Sequence, residues 1–213
     1  MTAAPTQASV LRAGDRGWLA EVEPDRIAAL VDAIVKQPWA AELQDIVPAA
    51  RTVLVVARHA DTMDHIAADL RHLLAQTTTP GEQSTTGTTV RIPVRYDGPD
   101  LPEIAGRLGL PADEIVRQHT SASHRVGFFG FAPGFAYIDG LPGALKLPRR
   151  SSPRPRVAAG LVAIAGTQTV VYPGGTPGGW HLIGSTTEVL WDVDSPTPNR
   201  LNVGDRVVFE AVN

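Results

Sequence analysis

Two segments between residues 125 and 187 carry the residue types best suited to bind a small anion. Residues 147–156 (LPRRSSPRPR) place four arginines among three prolines. Guanidinium groups bind carboxylates and phosphates through paired hydrogen bonds, and the prolines stiffen the backbone that presents them. Residues 172–180 (YPGGTPGGW) contain four glycines and two prolines, so backbone N–H groups can point at an anion while Trp180 covers one side. A solvated charged face and ordinary turns between strands are the alternatives.

Two further segments have the composition of pocket walls. Residues 130–137 (GFAPGFAY) alternate aromatic residues with glycine, which favours an apolar wall with the Tyr137 hydroxyl at its edge, or a turn held by core aromatics. In residues 165–169 (AGTQT), Gly166 and its small neighbours allow a ligand near the backbone, and Gln168 offers a donor and an acceptor. His119, just before this region, is a candidate general acid or base, or a structural histidine at a helix end.

The charge distribution supports an anionic ligand. The chain has a net charge of −3, yet residues 125–187 hold six basic side chains and one acidic side chain. The mildly acidic total argues against a nucleic-acid partner, which needs a basic face. The chain has no cysteine, which excludes thiolate nucleophiles and cysteine-ligated metals, and we predict no metal site. Without a signal-peptide pattern or an apolar run of about 18 residues, we expect a cytoplasmic protein that does not enter a membrane.

The N-terminal residues predict an α+β domain. A hairpin over 10–22 precedes a helix that begins at Pro24 and stops before Pro38, and β-branched runs follow at 43–47 and 52–57. Residues 61–76 repeat apolar positions at helical spacing, with Asp61 as N-cap. The order strand, helix, strand, strand, helix is typical of a ferredoxin-like domain that lacks its last strand. The Thr/Ser-rich residues 77–89 predict a linker.

The C-terminal residues predict an all-β domain. Two short helices at 101–108 and 112–119 are followed by short β-type runs separated by glycine and proline: 125–129, 157–165, 169–172, 181–183, 189–192 and 206–212. This pattern is typical of a β-barrel or sandwich. The strand at 90–96 could complete the first sheet or begin the second. We therefore place an α+β domain at 1–88 and a β domain at 89–213.

The long strings of the second domain resemble one family. GFAPGFAYIDGLP, LPRR, SPR, VAAGLVAIAGTQTVVYP and TPGGWHLIGST, with IPVRYDGPDL, resemble the family of 5-oxoprolinase B-subunits, also named allophanate hydrolase subunit 1 or the KipI family. The resemblance implies a ferredoxin-like domain followed by a cyclophilin-like barrel. It implies one component of an ATP-dependent 5-oxoprolinase that converts 5-oxoproline to L-glutamate. Its partners would be the A-subunit and the C-subunit of that enzyme, the latter from the allophanate hydrolase subunit 2 family. ATP, with Mg, would bind at a site shared with or supplied by those partners.

The resemblance also assigns roles by position, with His119, Tyr137 and Gln168 as catalytic residues. With Gly166 from the small-residue segment, the expected substrate- and anion-binding residues are Phe131, Pro133, Gly134, Phe135, Arg149, Arg150, Arg154, Gly166, Thr169, Tyr172, Pro173, Gly178 and Trp180. Three other functions remain open at this point. They are a carboxyltransferase-like component of the allophanate hydrolase or urea carboxylase type, a KipI-type inhibitor of a sensor histidine kinase, and a cyclophilin-like peptide-binding barrel.

Overall fold

A computed structural model of the chain describes residues 9–60, 63–76 and 87–213. The predicted cap at Asp61 and most of the predicted linker at 77–89 lie outside these residues. The chain divides into two compact units, Met1–Thr85 and Thr86–Asn213, and each is described by itself.

The N-terminal unit is a four-stranded antiparallel sheet with two helices. Its elements are β1 (Val10–Ala13), β2 (Gly17–Glu21), α1 (Ile27–Val35), β3 (Leu43–Pro48), β4 (Thr52–Ala57) and α2 (Met63–Gln76). The strands lie in the order β1-β2-β4-β3, so β1 takes the edge beside β2. Alternation along β4 buries Val53, Val55 and Ala57 in a core with Leu30 and Leu70 of the helices. The predicted strands and helices are found, although the first α-helix begins at Ile27, after a 3-10 turn over Pro24–Arg26, and the second is described from Met63. The ferredoxin-like class stays a prediction.

The C-terminal unit is a closed barrel of seven strands, which confirms the predicted β-barrel. In chain order its elements are β5 (Thr89–Arg95), α3 (Leu101–Leu108), α4 (Ala112–Ser121), β6 (His124–Phe129), β7 (Ala136–Asp139), β8 (Arg154–Val157), β9 (Leu161–Ala165), β10 (Gln168–Val171), β11 (Thr176–Gly178), β12 (His181–Ser185) and β13 (Arg206–Val212). The barrel strands follow the order β10-β7-β6-β13-β5-β12-β9.

The structure decides or corrects three predictions about strands. β5 runs parallel to β13 from Arg206↔Thr89 to Val212↔Arg95, so it belongs to the barrel rather than to the first sheet. The run at 157–165 is split between β8 and β9, because Gly160 turns the chain at a φ of +77°. The strand predicted at 189–192 was wrong, since that segment holds only an isolated bridge between Trp191 and Asn199.

The barrel packs apolar side chains on both of its surfaces. Its interior is filled by residues that include Ile92, Val126, Ile138, Ile164 and Phe209. Outward-facing positions of β9, β10 and β12, with residues at the ends of neighbouring strands, build a second cluster: Phe135, Val157, Ala163, Ala165, Val170, Tyr172, Trp180 and Leu182. The antiparallel ribbon of β8 and β11 contributes Val157 to this outer cluster. The outer face of the barrel is therefore a covered, partly aromatic surface.

A bulge in β6 decides which residues reach that surface. The register with β7 shifts between Val126 and Phe128, so Val126 fills the barrel while Phe128 lies beside Tyr137. The extra residue is Gly127, where a Cβ would lie 2.2 Å from Oδ2 of Asp139. Only glycine therefore lets the carboxyl group of Asp139 pack against the bulge.

Candidate functional site

The predicted wall segment and the glycine-rich loop meet on the outer face of the barrel. Tyr137 stacks on Phe128 at 4.3 Å with an interplanar angle of 11°, and its ring centroid lies 5.9 Å from that of Trp180. Phe135 packs edge-on against Tyr172 at 5.3 Å. We call the group Phe131, Phe135, Tyr137, Tyr172 and Trp180, with Arg149 and Arg154, the outer-face site.

Phe131 forms the exposed edge of this site in an unusual backbone conformation. It has a φ of +69°, the left-handed region that disfavours side chains with a Cβ, and 64% of its surface is exposed. Its ring contacts Phe135 edge-on at 5.3 Å. Such strain costs about 1 kcal/mol or more and is concentrated at functional sites. Gly134 in the same turn also has a positive φ, and a Cβ there would lie 2.3 Å from the Cβ of Trp191.

The three arginines expected in the site differ in exposure and ion pairing. The exposed guanidinium of Arg149 lies over the ring of Trp180, 5.5 Å from its centroid. Arg150 and Arg154 instead bind the carboxylate of Asp100, at 3.0 and 2.6 Å. Arg150 also binds the exposed Glu103 at 3.1 Å. Arg149 therefore presents its charge to solvent. Arg150 and Arg154 are instead paired with acidic residues that lie outside the segment 125–187.

Asp100 is a buried residue of this region that the sequence did not predict. It is 4% exposed and also accepts a hydrogen bond from the Leu182 N–H at 2.7 Å. Burial opposes its ionisation, but the Arg154 hydrogen bond, the Leu182 N–H and the two arginine charges lower its pKa below the usual value. One carboxylate thus ties the arginine segment to the start of α3 and to β12. The acidic residue just before a predicted helix, in IPVRYDGPDL, was the available signal.

The glycine-rich loop is closely packed, and some of its backbone polar groups are already hydrogen-bonded within the protein. A Cβ on Gly178 would lie 2.2 Å from the hydroxyl oxygen of Tyr172, so glycine is required there. The Gly175 N–H donates to the Val157 carbonyl, and the Gly179 carbonyl accepts from the Arg150 N–H at 2.7 Å. Pro173 is half-buried at the start of the loop. These polar groups hold the ribbon and the arginine segment in place.

Tyr137 and Gln168 share the outer face with a third polar residue. Gln168 donates its amide N–H to Oδ1 of Asp139 at 2.8 Å. Desolvation raises the pKa of Asp139, and the Gln168 hydrogen bond acts in the opposite direction. Tyr137 precedes Asp139 by two positions in β7 and so lies on the same face of the strand. A hydroxyl, an amide and a carboxyl group thus line one edge of the site.

His119 and Thr169 lie elsewhere, and this corrects their predicted place beside the other site residues. His119 is completely buried, with Nδ1 2.7 Å from the Tyr96 hydroxyl and Nε2 3.0 Å from Oγ1 of Thr169. Its ring packs 4.7 Å from Phe209, a residue of the barrel interior. Burial, followed by the nearby His124, lowers the pKa of His119 to about 3.

Strand alternation is the physical reason for this separation. Gln168 and Thr169 are adjacent in β10, so their side chains leave opposite faces of the strand. The remaining expected residues lie in turns. Gly166, with a φ of +60°, lies in the turn between β9 and β10, and Pro133 is exposed beside Gly134. The structure therefore brings together Tyr137 and Gln168 of the expected catalytic residues, without His119.

The barrel has the fold of a carboxyltransferase domain. The urea carboxylase of Kluyveromyces lactis shares the fold over 97% of this chain and 22% of its own, with a TM-score of 0.67 and 17% identity. A family model described as carboxyltransferase domain, subdomain C and D, matches residues 6–201. The chain belongs to this family. None of the helices in the described parts of the chain is long and apolar enough to cross a membrane.

Nearer relatives carry more specific names. The chain is 45% identical over 127 residues to the 5-oxoprolinase B-subunit of Bacillus subtilis, covering 58% of this chain and 53% of that protein. It is 47% identical over 123 residues to the protein of the same name in Escherichia coli O157:H7, covering 56% of each. The matches thus span about half the length of these curated relatives. A conserved uncharacterized protein of Pyrococcus horikoshii is 32% identical with a TM-score of 0.58, covering 96% of this chain and 98% of that one.

Proposed function

We propose that this chain is the B-subunit of an ATP-dependent 5-oxoprolinase, which opens 5-oxoproline to L-glutamate together with the A and C subunits. The observation that carries the proposal is the outer-face site, where arginines, aromatic rings and the Tyr137 and Gln168 side chains occupy one surface of the barrel. The substrate is a small ring with one carboxylate and one lactam, and each has a matching group there. The name shared by relatives 41–47% identical supports the same assignment.

Each part of the substrate has a chemical counterpart in the site. The ring would pack against the exposed side chain of Phe131, as small apolar ligands do in aromatic pockets. Its carboxylate would bind on the arginine side. The lactam group would face Tyr137 and Gln168, whose hydroxyl and amide can donate to its carbonyl oxygen or accept from its N–H. Because charge develops on that oxygen during ring opening, donors fixed on a rigid strand would stabilise the transition state.

When bound, ATP would supply the phosphoryl group that activates the lactam carbonyl. The exposed Arg149 guanidinium suits a phosphate oxygen and could help to hold it. Residues 9–60, 63–76 and 87–213 contain no group of three histidine or acidic side chains that would hold a metal. We therefore propose that Mg is held by the phosphates and by the partner proteins, and that this chain is inactive alone. We also propose a cytoplasmic location, where ATP is available, a ferredoxin-like N-terminal domain and a cyclophilin-like class for the barrel.

Co-expression with the A and C subunits tests this proposal. We expect the three proteins to co-purify and to release ADP in the presence of 5-oxoproline. Tyr137→Phe removes one hydroxyl without changing the ring, and we expect it to lower kcat about tenfold or more if that hydroxyl stabilises the developing oxyanion. Lys146→Gln is a control, because Lys146 is exposed and lies outside the site. A complex that assembles but releases no ADP with 5-oxoproline would contradict the proposal.

A carboxyltransferase component is the second candidate, favoured by the family description and by the fold shared with urea carboxylase. Such an activity would transfer a carboxyl group to an amide nitrogen. The same purified complex should then respond to urea and a carboxyl donor rather than to 5-oxoproline. Parallel assays with the two substrates separate the two functions directly.

A further inference from the structure

Several buried hydrogen-bond donors lack an acceptor in the region where the ribbon of β8 and β11 covers the barrel. Nη1 of Arg154, the hydroxyl of Tyr172 and Oγ1 of Thr176 are buried and donate to no acceptor among the described residues. A buried donor without an acceptor costs about 1–3 kcal/mol. Three such groups in one small region are therefore expected to bind an acceptor.

Strand pairing places the three donors on the side of the ribbon that faces the barrel, and we call the region that they line the crevice. Thr176 of β11 pairs with Val157, which packs in the outer cluster, and Gly178, two positions further along β11, pairs with Arg154 of β8. Positions two apart in a strand, and residues paired across strands, project to the same side, so Arg154 and Thr176 face the barrel with Val157. The Tyr172 hydroxyl lies directly below Gly178, 2.2 Å from where a Cβ would be. Burial raises the pKa of that hydroxyl, whereas a hydrogen bond from the Trp180 backbone N–H to its oxygen and the charges of Arg149 and Arg154 lower it. Its own O–H remains without an acceptor among the described residues.

Asp100 fixes the guanidinium that supplies the charge in this crevice. Nη2 of Arg154 donates to Oδ1 of Asp100 at 2.6 Å, whereas Nη1 remains unpaired. A planar guanidinium held at one edge keeps its other donors in a fixed direction. The Arg154 side chain is 27% exposed, whereas Nη1 itself is buried, so a ligand that binds Nη1 must enter beside the exposed part of this side chain.

We propose that this crevice, formed by Arg154, Tyr172 and Thr176 beneath Gly178, binds the carboxylate of the substrate. The inference rests on the proposed function, because it names the part of 5-oxoproline that binds there. Part of the Arg154 charge is already offset by Asp100, which leaves one shared cation and two hydroxyl donors. That set matches the single negative charge of a carboxylate better than the larger charge of a phosphate.

Binding to the full chain, measured by titration calorimetry, tests the crevice with four probes. They are 5-oxoproline, 2-pyrrolidinone (the same ring without the carboxylate), acetate and inorganic phosphate. We expect 5-oxoproline to bind at least about tenfold more tightly than 2-pyrrolidinone, since a hydrogen bond to a charged group is worth roughly that factor or more.

Two conservative variants keep the test independent of folding. Tyr172→Phe removes only the hydroxyl and keeps the ring that packs on Phe135, and Thr176→Val removes only a hydroxyl. We expect Tyr172→Phe to weaken 5-oxoproline binding about tenfold and to leave 2-pyrrolidinone unchanged. Lys146→Gln removes an exposed charge from the same part of the chain and should stay within about twofold of the wild type.

The outcomes separate the crevice from the proposed function. If 5-oxoproline and 2-pyrrolidinone bind equally, or if Tyr172→Phe has no effect, the crevice assignment is wrong while 5-oxoproline remains the ligand. If acetate binds and depends on Tyr172 but 5-oxoproline does not bind, the crevice stands and the proposed function fails. Tighter binding of phosphate than of either carboxylate, or no binding of any carboxylate, would overturn the inference.

Discussion

Replacing Asp100 by asparagine tests how the arginine segment is held. The carboxylate is 4% exposed and accepts three hydrogen bonds, from Arg150, Arg154 and the Leu182 N–H. Asparagine keeps one acceptor oxygen but places an N–H₂ group against these donors. Removing one partner of a buried ion pair costs about 3–5 kcal/mol. Because the arginine side chains are 26% and 27% exposed and can recover water, we expect a loss of about 2–3 kcal/mol.

Urea denaturation followed by circular dichroism measures this loss as a lower midpoint at an unchanged slope. Asp97→Asn is the matched control, because Asp97 is exposed and bonds only the Ser185 hydroxyl, at 3.0 Å, among the described residues. It should change the free energy of unfolding by less than about 0.5 kcal/mol. A loss of that small size in Asp100→Asn would refute the role given to the carboxylate.

The pH dependence gives a second readout of the same carboxylate. The folded pKa of Asp100 is lowered, so its stabilisation is complete above the unfolded pKa of about 3.9 and is lost as the pH falls through the folded pKa. The difference between wild type and Asp100→Asn should therefore be constant near neutral pH and shrink in acid below about pH 4. A difference that grew on acidification would have the wrong sign.

Three further predictions follow from single positions. Gly178→Ala places a Cβ 2.2 Å from the Tyr172 hydroxyl oxygen. It should lower the free energy of unfolding, measured by urea denaturation, by about 1–3 kcal/mol and weaken 5-oxoproline binding. Wild-type stability and binding would show that the loop can move aside. Phe131→Gly replaces a strained residue with a φ of +69° by one that adopts this conformation freely. The free energy of unfolding should therefore stay unchanged or rise by up to about 1 kcal/mol, while 5-oxoproline binding weakens. A clear loss of stability would contradict this. His119 has a pKa of about 3, so its imidazole NMR signals should not shift between pH 5 and 8, and a titration in that range would show that the ring reaches solvent.

Much of the fold could be predicted because its signals are local. Apolar alternation and glycine or proline punctuation identified most strands, and α3 was predicted with its observed ends, Leu101 and Leu108. The segment at 189–192 failed because a short apolar run has no strand partner unless the fold supplies one, and only Trp191 forms a bridge. The outer-face site was predicted as a convergence of segments, since the aromatic, arginine and glycine patterns are each long.

The rest depended on contacts between distant residues. The counter-charge of Arg150 and Arg154 comes from Asp100, 50 and 54 positions earlier, so counting charges within the arginine-rich region could not include it. His119 precedes the site in sequence, but its partner Thr169 points into the barrel while the adjacent Gln168 points outward. That choice depends on the register of β10 with β7, which no local pattern specifies.

The conversion of 5-oxoproline to glutamate by the reconstituted complex tests the central claim most directly. Ring opening can be followed by NMR of carbon-labelled 5-oxoproline with ATP, in the presence of the A and C subunits. The account predicts that glutamate appears only when this chain is present, and that Tyr172→Phe raises the KM for 5-oxoproline. Equal glutamate formation without this chain, or no glutamate from the intact complex, would contradict it.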